Sequence, residues 1–216
     1  MPAILLLATA LLGGCLTLPA PAITTNRVSL DNVGRRGFSF PVPPGYQAST
    51  PEEFSTLMGE FGSVYTQASL HQMKELQQDY SLSGKSVIIY RQEAIASGKP
   101  GVVVNFTYNL HSGVPPFDRY PAMRRQALDQ EKNRITDELK SNGQVISSES
   151  VTINGRPWVK IAATISNSEG KTIGYYYTMF TAGDLNDIYQ FRGLSLSGKL
   201  SDAVNIVDYL AEHMDF

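Results

Sequence analysis

Residues 151–194 read VTINGRPWVKIAATISNSEGKTIGYYYTMFTAGDLNDIYQFRGL, and three turn signals divide this stretch and its upstream flank into four strands. Asn154-Gly155 is the strongest of them. A two-residue hairpin loop of the favoured type needs positive φ at both central positions, and Asn and Gly adopt it at least cost. The strand entering this turn covers 144–153 and the strand leaving it covers 156–166. In the second, Val159, Ile161, Ala163 and Ile165 alternate onto one face and Trp158 onto the other. The polar run 167–170 turns the chain again, and 172–181 and 187–194 form the next pair around Ala182-Gly183-Asp184. Apolar residues of this last pair fall on both faces, which predicts a sheet covered on both sides.

Outward from the meander, the pattern changes to a helical period. Leu200, Ala203, Val204, Val207, Leu210, Ala211 and Met214 recur at i, i+3, i+4, i+7 and predict a closing helix that packs on the sheet. Upstream, a long helix is expected from about Pro121 to Asn142, with Gly143 as its left-handed terminator. Tyr120, Met123, Ala127, Leu128, Ile135 and Leu139 would form its buried stripe, with Asp129, Glu131, Lys132, Arg134 and Lys140 in solvent. Residues 86–92 and 102–110 read as strands of one hairpin, joined through Ser97-Gly98-Lys99-Pro100-Gly101. Thr50-Pro51-Glu52-Glu53 opens a shorter helix: Thr50 can cap, Pro51 fits the first helical position, and Glu53 can complete a capping box. Between them, 63–80 suits either strand or helix, with helix favoured in its second part. Short strands are expected at 28–30 and 37–42; the second places Phe38 and Phe40 on one face, and Pro41 and Pro43 mark an edge. The order hairpin, helix, strands, long helix, meander, helix predicts an α+β fold with a mainly antiparallel sheet flanked by helices. One globular domain is expected over residues 27–216.

The amino terminus reads MPAILLLATALLGGC. The apolar run 4–12 is too short for a bilayer-spanning helix, which needs roughly 20 residues, and has the length of a signal-peptide core. No Lys or Arg precedes Arg27; a wrongly assigned start codon, with a few basic residues lost upstream, would explain the missing basic segment that usually opens such leaders. Leu12-Gly13-Gly14-Cys15 resembles the lipobox of bacterial lipoproteins. The resemblance implies cleavage between Gly14 and Cys15, diacylglycerol on the Cys15 thiol and acylation of the new amino group. Two or more chains give stable anchoring where one gives only marginal binding. Leu16 in place of an aspartate implies, in a Gram-negative cell, sorting to the outer membrane on its periplasmic side. Residues 16–26, LTLPAPAITTN, carry no charge and two prolines, and read as a tether behind the lipidated cysteine.

Across residues 28–216 the order of elements resembles the α/β/α sandwich of the PsbP and Mog proteins, and is similar to DcrB-like envelope lipoproteins. The aromatic segment GFSFPVPPGY, the meander opened by Val151-Thr152-Ile153-Asn154-Gly155 and the closing helix ending at Phe216 carry the match. The resemblance implies a non-enzymatic adaptor or binding module and brings no catalytic residues with it.

Direct reading of the chemistry agrees with that implication. The chain has 216 residues, a formal charge of −2 and one cysteine. There is no basic excess for neutralising phosphates, so no nucleic-acid partner is expected. A lone cysteine excludes intrachain disulfides and cysteine-ligated structural zinc. Gly193-Leu194-Ser195-Leu196-Ser197 lacks the final glycine of a nucleophile elbow. Ser83-Gly84-Lys85-Ser86 ends like a phosphate loop, but Asp79 stands where its first glycine belongs. His111 is the best single candidate for proton transfer, and Asp184 with Asp187 and Asp129 with Glu131 are the nearest carboxylate pairs. None forms a catalytic or metal-binding constellation, and no cofactor is expected. The aromatics Trp158, Tyr175, Tyr176, Tyr177, Phe180, Tyr189 and Phe191 concentrate in the meander, mostly as core. The expected function is therefore a membrane-anchored envelope lipoprotein that binds a protein partner. An envelope enzyme with a site assembled from distant residues, or a carrier of a small apolar ligand, is the alternative.

Overall fold

The computed structural model describes residues 22–30, 37–60, 85–97, 101–110, 116–167, 169–184, 187–195 and 198–216. Its centre is a seven-stranded antiparallel sheet. Strands β4 (Gln47–Ser49), β5 (Lys85–Tyr90), β6 (Val102–Leu110), β7 (Val145–Ile153), β8 (Arg156–Ser166), β9 (Thr172–Ala182) and β10 (Asp187–Ser195) lie in the order β4-β5-β6-β10-β9-β8-β7. The meander β7 to β10 thus folds as expected, and its last strand pairs along its full length with β6, from Asp187 opposite Leu110 to Ser195 opposite Val102. A second, three-stranded sheet holds β1 (Ala22–Ile23), β2 (Arg27–Leu30) and β3 (Phe38–Pro41). The helices among the described residues are α1 (Pro51–Glu60), α2 (Gln92–Ala96), α3 (Pro121–Asn142) and α4 (Leu200–Glu212). The architecture is α+β, mainly antiparallel sheet flanked by helices.

Period-two alternation decides what covers each face. One face of the large sheet presents Val87, Ile89, Val104, Phe106, Tyr177, Met179 and Phe191 to the small sheet and to α4, which contributes Ala203, Val207, Leu210 and Ala211. Phe38 and Phe40 sit on the same side of β3, as their spacing predicts, and both are buried against Phe106 with ring centroids 4.9 and 4.8 Å apart. On the opposite face, α3 packs Leu128, Ile135 and Leu139 on Val159, Ile161, Ala163, Phe180 and Ile188. Phe54 of α1 and Ile95 of α2 cover Ile88, Tyr90 and Val103. Each fully buried Leu, Ile or Phe of this kind contributes about 1.5–3 kcal/mol of transfer free energy. Trp158 is buried on the face opposite Val159 and Ile161, again as the alternation predicts.

Local chemistry accounts for the element ends. Thr50 and Glu53 form the reciprocal cap of α1: the Thr50 amide donates to Glu53 Oε2 at 2.9 Å and the Glu53 amide donates to Thr50 Oγ1 at 3.2 Å. Asn154 and Gly155 hold φ of 50° and 76°, the left-handed pair that the β7–β8 hairpin needs. Gly143 does follow α3, but in extended conformation at φ 175°. Its role is close approach: a Cβ there would stand 1.9 Å from the carbonyl oxygen of Thr164.

Three further expectations are corrected. Tyr120 is 49% exposed at the N-cap of α3 and is not part of its buried stripe, because Phe117 fills the core position beside Leu128 instead. β5 ends at Tyr90, and Gln92 opens helix α2 rather than ending a strand; β5 and β6 still pair antiparallel. Ala22 and Ile23, read as tether, pair with Ser29 and Val28 of β2. The stretch 63–80 lies outside the described residues. Among the described residues, no helix is long and apolar enough to cross a membrane.

Candidate functional site

The lipobox residues Leu12, Gly13, Gly14 and Cys15 lie outside the described residues, as do Ser83, Gly84 and His111. The other candidates can be placed. Asp184, in the β9–β10 turn, accepts hydrogen bonds from Arg124 Nη2 of α3 at 2.9 Å and from Arg156 Nη1 and Nη2 of β8 at 3.2 and 3.3 Å. Arg156 also lies over the ring of Phe216, its guanidinium carbon 4.2 Å from the centroid. Three segments are thereby tied to one turn. Asp187 accepts a hydrogen bond from the Tyr189 hydroxyl. Burial first, and the Asp187 carboxylate second, raise the Tyr189 pKa above its ordinary value. Asp129 and Glu131 do not act together: Asp129 is exposed, and Glu131 is bridged by Arg134 at 2.6 and 2.9 Å. Ser195 is fully buried at the end of β10, and its hydroxyl has no hydrogen-bond partner among the described residues.

A second half-buried ionic group ties α4 to the sheet. Lys160 of β8 reaches both carboxylate oxygens of Asp208 at 3.2 and 3.3 Å, and the Tyr177 hydroxyl donates to Asp208 Oδ1 at 2.8 Å. Burial, followed by this bond to the carboxylate, raises the Tyr177 pKa. These groups neutralise each other across elements, the usual condition for partly buried charge.

The alternation reading misses a polar row in the sheet interior. On the helix-covered face, Ser86 (β5), Asn105 and Thr107 (β6), Gln190 and Arg192 (β10) and Thr178 (β9) are all buried. Register sets them side by side, with Thr107 opposite Ser86 and Gln190, and Asn105 opposite Arg192. Gln190 Nε2 donates to Thr178 Oγ1 at 3.0 Å, and that hydroxyl donates to the Phe191 carbonyl at 2.9 Å. In the sequence, two strands that interleave Asn105, Thr107, Gln190 and Arg192 with Phe106, Tyr108, Tyr189 and Phe191 carry this signal, but polar alternation ordinarily means a solvent face.

A cleft of about 1190 Å³ lies between the two sheets at their open edges. Ile23, Thr24 and Thr25 form one wall, Gln47 and Ala48 of β4 another, and Arg91 and Gln92 the floor of α2's start. Arg91 is held over Tyr46, its guanidinium carbon 4.7 Å from the ring centroid. Burial raises the Tyr46 pKa, partly offset by this neighbouring cation. The cleft draws on segments far apart in sequence, so no local motif announces it.

No family model matches the chain, and no curated protein matches it significantly. Among solved structures, the solution structure of cyanobacterial PsbP (CyanoP) from Synechocystis sp. PCC 6803 is similar, with 9% sequence identity over 94% of this chain and 99% of that chain and a TM-score of 0.48. That likeness concerns overall fold and transfers no residue role.

Proposed function

We propose that the chain is an exported bacterial lipoprotein, acylated on Cys15, whose domain binds an envelope protein partner without chemically transforming it. The observation that carries the non-catalytic part is how the titratable groups are used. The candidate carboxylates Asp184 and Asp187, and Asp208 of α4, each accept from a cation or a tyrosine of another position. They work as clamps, with their lone pairs spent on orientation.

The anchoring part rests on the lipobox and gains a dimension from the fold. Strand β1 begins at Ala22, so a lipid on Cys15 would be separated from the first paired residue by a span of at most roughly 23–25 Å. An eleven-residue tether would have reached roughly 35–40 Å. The cleft wall at Ile23–Thr25 would then sit within reach of the headgroups, with the domain held close to the bilayer. Cys15→Ser should move the protein from washed membranes to the aqueous fraction; retention unchanged after washing would remove the anchor.

The carrier reading has one observation in its favour. A groove of about 290 Å³ runs along α3, lined by Phe117, Met123 and Ala127 with Glu131 and Arg134 at its rim. That is the lower limit of small-ligand pockets. Native mass spectrometry of the purified domain would show a copurified apolar ligand if this groove is the working site.

A further inference from the structure

We infer that β7 is a strand-addition site, and that its occupant is an extended segment of a partner protein carrying Lys or Arg opposite Glu149. This rests on the binding-module reading and gives it a surface and a partner chemistry. β7 and β4 are the two edges of the large sheet, and they are built differently. β4 is three residues long, with Ser49 buried, and leads directly into α1. β7 has nine residues, and Ile146, Ser147, Ser148, Glu149, Ser150 and Thr152 are exposed. Among the described residues nothing pairs with its outer side, so an edge of this length offers a row of unpaired backbone N–H and C=O groups, which proteins ordinarily guard with charged side chains (Lys above all), Pro, a bulge or a covering element; the one charge of β7 is Glu149. β7 contains no Lys or Pro. Its one irregularity is the register shift between Val145 and Ser147, at the far end of the strand. From Ser147 to Ile153 the edge is regular for seven residues, roughly 24 Å.

Side chains on this edge define what fits. Val151 and Ile153 are half-buried and pack on the main core, so apolar residues at alternate positions of an added strand would extend that contact. Ser148, Ser150 and Thr152 on the other face are small and impose no steric bar. Glu149 is at the centre and pairs in register with Lys160, but the Lys160 ammonium is committed to both oxygens of Asp208. No cation among the described residues pairs with Glu149. A basic residue directly across from it completes the charge pair, which is the complementarity that names the partner. A second copy of this chain is disfavoured by the same residue: antiparallel self-pairing centred on β7 sets Glu149 against Glu149. The site also points the right way for a tethered protein, since six strand spacings, roughly 29 Å, separate β7 from the β4 edge beside which the chain enters the fold.

The test uses two nine-residue peptides of alternating Val and Thr, N-methylated along one edge so that they pair on one side only, with Lys or Glu at the centre. The Lys peptide should protect backbone amides within 147–153 from hydrogen exchange and bind about three- to tenfold tighter than the Glu peptide. Glu149→Lys, an exposed substitution that leaves the fold intact, should invert that preference. No protection at β7, protection confined to the cleft, or a concentration-dependent dimer that protects the same amides without peptide overturns the proposal. In cells, photo-crosslinkers at Ser148 and at Gln92 of the lipidated chain separate the two claims. An adduct from Ser148 supports the edge. An adduct from Gln92 alone removes the edge and leaves the binding reading standing, and none from either site sinks the binding reading as well.

Discussion

Asp184→Ala is the substitution that most sharply tests whether the interior charges are clamps. Asp184 receives Arg124 at 2.9 Å and Arg156 at 3.2 Å, and the three side chains are 17–22% exposed. At 4 Å and an effective dielectric constant of about 20, one such pair attracts by about 4 kcal/mol before desolvation is counted. Removing one member of a fully buried pair costs about 3–5 kcal/mol, whereas an exposed pair contributes about 0–1 kcal/mol. With about a fifth of each side chain in water, the stranded arginines recover part of their hydration, and Phe216 still holds Arg156 from its other side. The expected loss is therefore about 2–3 kcal/mol, a fall in Tm of roughly 5–10 °C for a domain of this size. Urea unfolding followed by circular dichroism measures it. Asp215→Ala is the internal control: its partner Arg27 is 3.1 Å away, but the side chains are 47% and 77% exposed, so the loss there should stay below about 0.5 kcal/mol. Replacing Arg124, Arg156 and Asp184 together by apolar residues should restore much of the stability, because no charge is then stranded. A cost for Asp184→Ala no larger than for Asp215→Ala would refute the clamp and reopen Asp184 as a working carboxylate.

Three further outcomes are expected. Thr50→Ala removes the acceptor for the Glu53 amide and should destabilise by about 1 kcal/mol, seen as a lower urea midpoint with unchanged slope. Gly143→Ala forces its Cβ against the Thr164 carbonyl and should cost about 1–3 kcal/mol as the end of α3 shifts from β8; a neutral result would mean that the approach is not tight in solution. Alkaline pH should unfold the domain early. Burial pushes Tyr108 up to about 12 and also raises Tyr177 and Tyr189. The unfolded chain ionises these tyrosines near 10 while the fold keeps them protonated, so stability is complete below about pH 10 and falls above it, by about 1.4 kcal/mol per pH unit for each. Ultraviolet titration should show these phenols ionising only as the protein unfolds, and early ionisation with the fold intact would contradict it.

The sequence made the meander and α4 legible because each rests on a local period: Asn154-Gly155 fixes one hairpin, and the spacing from Leu200 to Met214 fixes one helix face. What joined them was not legible. The pairing of β10 with β6 closes a separation of about eighty residues, and no local pattern distinguishes it from a meander that ends at a free edge. Tyr120 was placed in the wrong environment because helical spacing continues past the N-cap although the helix does not. The alternation of Asn105, Thr107, Gln190 and Arg192 with apolar residues reports polarity alone; that this row is buried depends on what covers the sheet, which no local pattern gives. Of the candidate residues, Asp184 was singled out for its position at a turn, but its two arginines come from 60 and 28 residues away. The β7 edge was present in the sequence as a strand; that it would be outermost depended on the sheet order.

The central claim, a binding domain held at a membrane through Cys15, is tested most directly by the mass of the mature amino-terminal peptide from the membrane fraction. Tryptic cleavage after Arg27, the first basic residue, should release a peptide that begins at Cys15 and carries the added mass of a diacylglyceryl thioether, with a further acyl group on its amino terminus. A peptide that begins at any other residue, or one that contains Cys15 with a free thiol, would contradict the account.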